Sequence, residues 1–438
     1  MKTALSALLF LQLLYMGAQY PQNPIAITKA EVLEKVTEKN NAIKIAQENF
    51  TQAKADHSQT NALFLPTISV AHTGISTNNP VMAFGSKLNQ GVFSENDFAI
   101  SSLTNPGSIE NFTTSFQIQQ PLFNVDGIYQ RKAAKNKMDA MALHTERTRD
   151  YLTLEAEKSY MQLQLAYKTV HVLERVLEAA KANRKLADDQ FTQGYLQRAD
   201  VLSMDVRVTE VQSQLQQGHS HIKNTSEYLA YLMNDQTSSQ YVPADSLNLN
   251  TMTQELEGSS LSERPDIKAM QLSKEAYEAQ YRADKMAFLP RLNAFGSYDL
   301  FDRKAFQGSA NSYVVGAQLT WTVLEGTKRY GKTKKSRSEL EKSKLQYEQY
   351  LSQSHLELHK AQRILDDAEN KLQLTELAVE QSEEALRIRT NRFEQGLEKT
   401  TELLQSENQY AQKQLEYFQT VFEYNFAKAY LEFLTKGD

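Results

Sequence analysis

The sequence predicts a mainly α fold with a small β part, built twice over from long coiled-coil helical hairpins and two short strand pairs. Three observations predict it. The step Phe-Leu-Pro at Phe64 recurs at Phe288, a shift of 224 positions, and the stretches before it match as well, "AIKIAQENF" from Ala42 against "DIKAMQLSK" from Asp266. After each Pro the apolar period changes from helical to alternating. Beyond the alternating runs, Ile128 to Gln193 contains neither Pro nor Gly, the sign of one very long helix.

Composition narrows the function classes. A chain of 438 residues with only 16 Gly and 9 Pro has few breaks for its length. Hydrophobic residues make up 41% and charged residues 23%, with a formal charge of −5, so no basic surface invites nucleic acid. Cysteine is absent, which suits an oxidising compartment and excludes lipid attachment at an N-terminal Cys.

Residues 1–18 read as a secretory signal. Lys2 precedes the apolar run Ala4 to Leu14, and the small residues Gly17 and Ala18 precede polar Gln19, with cleavage expected near Ala18. The alternative, a short anchor, has about half of the roughly 20 apolar residues a spanning helix needs. No later run is long enough either, so any other crossing of a membrane would have to be a β-barrel.

The first repeat is expected over 19–233. It begins with a helix from Lys29 to Asn61, then strands at about 66–76 and 112–121 joined by the Asn-, Ser-, Gly- and Pro-rich loop Thr77 to Asn111. The long helix follows, with Leu163, Ala166, Val170, Leu173, Leu177, Ala180, Ala187 and Phe191 on one 3,4-spaced stripe. Gly194 ends it at a tight turn, and Gln197 to Met233 returns. A polar linker, 234–262, leads to the second repeat, 263–438: helix Arg264 to Phe288, strands at about 291–300 and 312–322, a second long helix, a tip at Gly396 and a last return helix. Here Phe191, Gln193 and Gly194 fall on Phe393, Gln395 and Gly396 at a shift of 202. The 22 positions lost correspond to the shorter second loop, Phe301 to Asn311. At 1.5 Å per residue each long helix is a rod of roughly 100 Å, too long for the interior of a compact domain.

The strands have two unlike sides. Phe112, Thr114, Phe116 and Ile118 alternate with Thr113, Ser115, Gln117 and Gln119, and Tyr313, Val315, Ala317, Leu319 and Trp321 alternate with Val314, Gly316, Gln318 and Thr320. About ten residues suffice for a tilted strand to cross a bilayer. Four strands are too few to close a barrel, and an open edge is forbidden in lipid, so several chains would share one barrel. The alternative is two soluble hairpins, each packed on a helix.

Other constellations carry no chemistry. His355 and His359 are spaced i, i+4, but Glu357 between them stands wrongly for a zinc protease. His219 and His221, and the adjacent pairs Asp188 and Asp189 or Asp366 and Asp367, do not converge. Without a phosphate-cradling loop, a nucleophile with its base, or a metal set, no cofactor, metal or catalytic activity is expected.

The Phe-Leu-Pro strand starts, "SERPDIKAM" from Ser262, the strand pairs and the tips "FTQGYLQRADVL" and "FEQGLEKTTELL" together resemble the TolC-like outer-membrane efflux family over essentially the whole mature chain. The resemblance implies a homotrimer. Its twelve strands would close one barrel in the outer membrane of a Gram-negative bacterium, continued in the periplasm by an α-barrel tunnel of helices. It implies a passive channel for substrates delivered by an inner-membrane pump through a periplasmic adaptor, or membrane fusion protein, as in tripartite efflux or type I secretion. By position, Asp200, Glu402 and Gln405 become candidates for the periplasmic gate, the alternative being ordinary solvated helix charge. Gln193, Gly194, Tyr195, Gln395, Gly396 and Leu397 become candidates for adaptor docking, although Gln stands twice where the family's turns usually carry Val. Thr113, Ser115, Gln117, Gln119, Gln318 and Thr320 become candidates for the barrel lumen, with outer-membrane lipid on the opposite face and the Thr77 to Asn111 loop across the mouth. The rival reading is a secreted or periplasmic coiled-coil structural or adaptor protein without its own pore. An adaptor would carry one hairpin tip where this chain carries two.

Overall fold

The computed structural model describes residues 24–236, 240–249 and 261–436. The expected signal, 1–18, lies outside the described residues, as do 237–239 and 250–260 of the linker. In chain order the elements are β1 (Ile25–Ile27), α1 (Lys29–Lys39), α2 (Asn41–Gln59), β2 (Thr67–Thr77), α3 (Pro80–Asn89), α4 (Ile100–Thr104), β3 (Ile109–Phe123), α5 (Val125–Thr192), α6 (Arg198–Leu232), β4 (Tyr241–Pro243), α7 (Pro265–Met286), β5 (Arg291–Asp302), β6 (Ala310–Thr320), α8 (Lys328–Glu394) and α9 (Thr400–Thr435). They fall into two compact units, one of residues 1–47, 144–267 and 351–438, the other of 48–143 and 268–350.

In the first unit, helices pack along small-residue stripes. Leu163, Ala166, Val170, Leu173, Ala180 and Ala187 of α5 are buried, whereas Phe191, at the end of the same stripe, is exposed. Close approach is required where α6 crosses α5. A Cβ at Gly218 would stand 2.9 Å from Cγ2 of Val170, so only a glycine fits without displacement. The main core joins α1, α5 and α6 to the parallel pair β1 and β4, with Val32, Val36, Tyr160, Ile222, Leu229, Met233 and Tyr241 at its centre. Tyr160 donates its hydroxyl hydrogen to Asp245. Buried, and beside that carboxylate, its own ionisation is pushed well above the usual phenol range.

The helix expected without a break from Lys29 to Asn61 is divided at Asn40, whose backbone is extended. The Asn40 amide donates to the Leu232 carbonyl at 2.7 Å, and its side-chain oxygen accepts from the Ala42 N–H at 2.8 Å. An asparagine that hydrogen-bonds backbone both ways competes with the helix. A run of helix-compatible residues did not betray it.

In the second unit β2, β3, β5 and β6 form one antiparallel sheet in that order, leaving β2 and β6 as open edges. Pro66 and Pro290 stand just before β2 and β5, where a missing N–H costs no ladder bond. The β2 to β3 connection is not the irregular loop the composition suggests: it holds α3 and α4, with the rings of Phe84, Phe93 and Phe98 meeting edge to face. Gln90 fastens its end, donating to Oδ1 of Asn111 at 2.8 Å and to the carbonyls of Glu110 and Asp302. The β5 to β6 turn closes on Asp302, whose carboxylate accepts the N–H groups of Gln307, Gly308 and Ser309. Among the described residues no helix is long and apolar enough to cross a membrane.

Candidate functional site

Residues directly opposed in an antiparallel sheet share a face, so register assigns every strand residue to a side. One side carries the rows Thr73, Thr113, Phe301; Ala71, Ser115, Asp299, Ser312; Ser69, Gln117, Ser297, Val314; and Thr67, Gln119, Phe295, Gly316, followed by Asn293 with Gln318 and Arg291 with Thr320. All six residues expected to line a lumen, Thr113, Ser115, Gln117, Gln119, Gln318 and Thr320, are brought onto this one face. The other side carries Ile68, Ile118 and Val315, then Val70, Phe116, Tyr298 and Tyr313, with Leu319 beyond. Its large apolar groups are bare: Ile68 is 70% exposed, Tyr313 76% and Val315 78%. An apolar band of that extent facing solvent on a strand sheet needs a nonaqueous neighbour. The strands are 11, 15, 12 and 11 residues long, enough to span a bilayer when tilted. Where the polar face meets the helices, the Arg291 guanidinium grips the buried Asp126 carboxylate with two donors, at 2.5 and 3.2 Å.

The second place with convergent polar chemistry is the pair of helix turns in the first unit. Gly194 and Gly396 both adopt left-handed backbone, with φ of 85° and 72°. Each turn is closed in the same way, the residue after the glycine donating its N–H to a carbonyl of the preceding helix: Tyr195 to Gln190 and Leu397 to Arg392, both at 2.9 Å. This is the C-terminal turn a glycine at that place favours. Behind the turns the two hairpins pack on one another through Ala187, Met204, Phe393 and Leu403, and Gln190 donates to the Phe393 carbonyl at 3.1 Å. Gln193, Gly194, Tyr195, Gln395, Gly396 and Leu397 are left exposed, Tyr195 at 76%.

The three gate candidates sit unlike one another. Asp200 lies in the first turn of α6 and accepts the N–H of Gln197 at 3.1 Å, a capping carboxylate favoured by the helix dipole. Glu402 lies in the first turn of α9 and pairs at 2.9 Å with Arg389, which also reaches Glu398 at 3.4 Å; Arg392 holds Glu398 at 3.1 Å. Gln405 is exposed. These arginines were not foreseen. Arg389 and Glu402 lie on either side of the tip and meet only because the chain reverses at Gly396.

A further buried group lies nearby. Glu407 of α9 accepts from the Asn183 amide on α5, while its other oxygen and Nε of the buried Arg207 on α6 have no hydrogen-bond partner. Burial pushes the Glu407 carboxyl up, against the pull of Asn183 and Arg207. Among the described residues no group of His, Cys, Asp or Glu is placed to hold a metal.

The model of the outer membrane efflux proteins matches residues 32–235 and 256–434. The chain belongs to the outer membrane efflux protein family. No curated protein sequence matches it. Among solved structures the chain is similar to the outer membrane protein VceC of Vibrio cholerae, with a TM-score of 0.79 at 17% identity over 93% of this chain and 96% of that one. It is similar to the Campylobacter jejuni CmeC outer membrane channel, at 0.79 and 15% over 93% and 85%. It is also similar to the open state of the Neisseria gonorrhoeae MtrE outer membrane channel, at 0.77 and 14% over 93% and 89%. The mainly α fold with a small β part is thus that of outer membrane efflux channels.

Proposed function

We propose that this chain is the outer-membrane component of a tripartite efflux or type I secretion system, passively conducting substrates from an inner-membrane pump and a periplasmic adaptor to the exterior. The observation that carries this reading is the four-stranded sheet with one polar face, one bare apolar face and two open edges. Backbone groups at an edge in hydrocarbon each cost several kcal/mol, so the edges of β2 and β6 are met by other copies of the chain. Three copies give twelve strands, within the range of membrane barrels. The polar face then lines water and the apolar face meets lipid.

Under this reading the chain is an internal duplication, 19–233 and 263–438, joined by the linker 234–262 after an 18-residue signal. The helices form the periplasmic tunnel, and the exposed turns at Gly194 and Gly396 receive the adaptor. Asp200, Glu402 and Gln405 set the periplasmic aperture. The connection at Thr77 to Asn111 lies at the external mouth, and deleting it raises conductance. The protein has no catalytic role of its own.

Size measurement of the purified mature protein in mild detergent tests the proposal directly. A trimer that forms channels in planar bilayers supports it; a monomer, or a protein that stays in aqueous buffer without affinity for membranes, refutes it.

A further inference from the structure

Each open edge strand carries a glycine directly opposite a phenylalanine on the strand beside it. Gly74 of β2 faces Phe112 of β3, and Gly316 of β6 faces Phe295 of β5. In both pairs the ring occupies the space of the absent side chain. A Cβ at Gly74 would lie 2.9 Å from the Phe112 ring, and one at Gly316 would lie 2.7 Å from Cζ and 3.0 Å from Cε1 of Phe295. Real Cβ atoms do not approach so closely, so each ring lies flat over its glycine. The two pairs differ in side. Phe112 belongs to the apolar face, whereas Phe295, 39% exposed, belongs to the face of Gln117, Gln119, Ser297 and Asn293.

We infer that Gly316 is a seat that keeps the Phe295 ring against the wall of the pore, and that this pair sets the clearance of the strand-built passage. The inference rests on the proposed shared barrel. Strand side chains stand roughly perpendicular to the sheet unless something holds them down, so a ring without its seat projects into the space the polar face encloses. Bore decides how much that matters. A barrel of about eight strands is filled by its inward side chains, and one of about sixteen leaves a wide aqueous channel. A twelve-stranded barrel lies between these limits, where one large ring from every copy governs what passes. Phe112 over Gly74 has the same geometry but faces lipid, and it has no bearing on clearance.

The chain has no cysteine, so a single one reports alone. Thr320, exposed on the polar face and paired with Arg291, lies on the helix side of the Phe295 row. The test uses the full chain in the outer membrane of intact cells carrying Thr320→Cys, with a bulky, impermeant maleimide added outside. We expect Gly316→Val to slow labelling several-fold, Phe295→Ala in the same chain to restore it, and Gly74→Val to leave it unchanged. Should Gly316→Val not assemble, Gly316→Ala takes its place, since one methyl already collides with the ring.

Unchanged labelling in the Gly316 variant overturns the inference. So does slowing that Phe295→Ala does not relieve, or equal slowing by Gly74→Val. Failure to label Thr320→Cys in the assembled parent also overturns it, because the clearance would then be set elsewhere. If the parent proves soluble or monomeric, the shared barrel itself fails. The seat would then appear only as a stability loss in Gly316→Val that Phe295→Ala relieves.

Discussion

At the scale of single residues, charge at the hairpin ends follows from local chemistry more than from position in a family pattern. Asp200 caps its helix and Glu402 is held by Arg389, so neither is a bare carboxylate waiting for a cation. Both are still in the first turn after a tip, where a charge changes the potential at the helix ends. Reversing both, Asp200→Lys with Glu402→Lys, is expected to raise single-channel conductance in planar bilayers; an unchanged conductance would make them ordinary helix charges. Glu407 differs because it is buried. Its carboxyl is held above the ordinary value of 4.5, so the packed state favours the proton. Stability from this group is complete below about pH 4.5 and is lost as pH rises through the raised pKa. Glu407→Gln should therefore raise the melting temperature at neutral pH, and the gain should vanish in acid. A gain that persisted at low pH would show that burial of the charge is not its cause.

At the scale of elements, the long helices depend on where small residues sit. Gly218 allows α6 to lie against Val170, and leucine in its place would overpack the contact. The expected cost is about 1–3 kcal/mol, measured by denaturant titration, with Val170→Ala recovering part of it. The tip glycines act through backbone instead. With φ of 85° and 72°, Gly194→Ala and Gly396→Ala should each cost about 1–2 kcal/mol. No neighbour lies within 4 Å of either added methyl, so the loss would be backbone strain alone, and asparagine should be tolerated better than alanine.

At the scale of the molecule, the two faces of the sheet carry the functional reading. A lysine on the apolar side, Val315→Lys, should oppose membrane insertion by about 2–4 kcal/mol if it lies near the bilayer midplane. The same residue on the polar side, Gln117→Lys, should insert normally and change ion preference instead. Recovery of assembled protein in the membrane fraction separates the two; equal loss in both would mean that the faces are not divided between lipid and water.

Much of this was legible because it depends on periodicity. The change from helical to alternating spacing at Pro66 and Pro290 marks the strands, the stripe beginning at Leu163 marks the first long helix, and Gly194 and Gly396 mark the ends of both long helices. What escaped depends on contacts that spacing along one segment does not show. The break at Asn40 requires the Leu232 carbonyl, the β1 and β4 pair requires two segments more than 200 residues apart, and Arg389 finds Glu402 only across a turn. The helices inside the Thr77 to Asn111 connection were hidden by turn-forming composition. By itself the sequence determined the long helices, the four strands of the sheet and which side of those strands is oily, since those are properties of spacing along one chain. Only the tertiary structure decided that the four strands form one sheet with open edges, and which ring covers which glycine, because register is set by the partner strand.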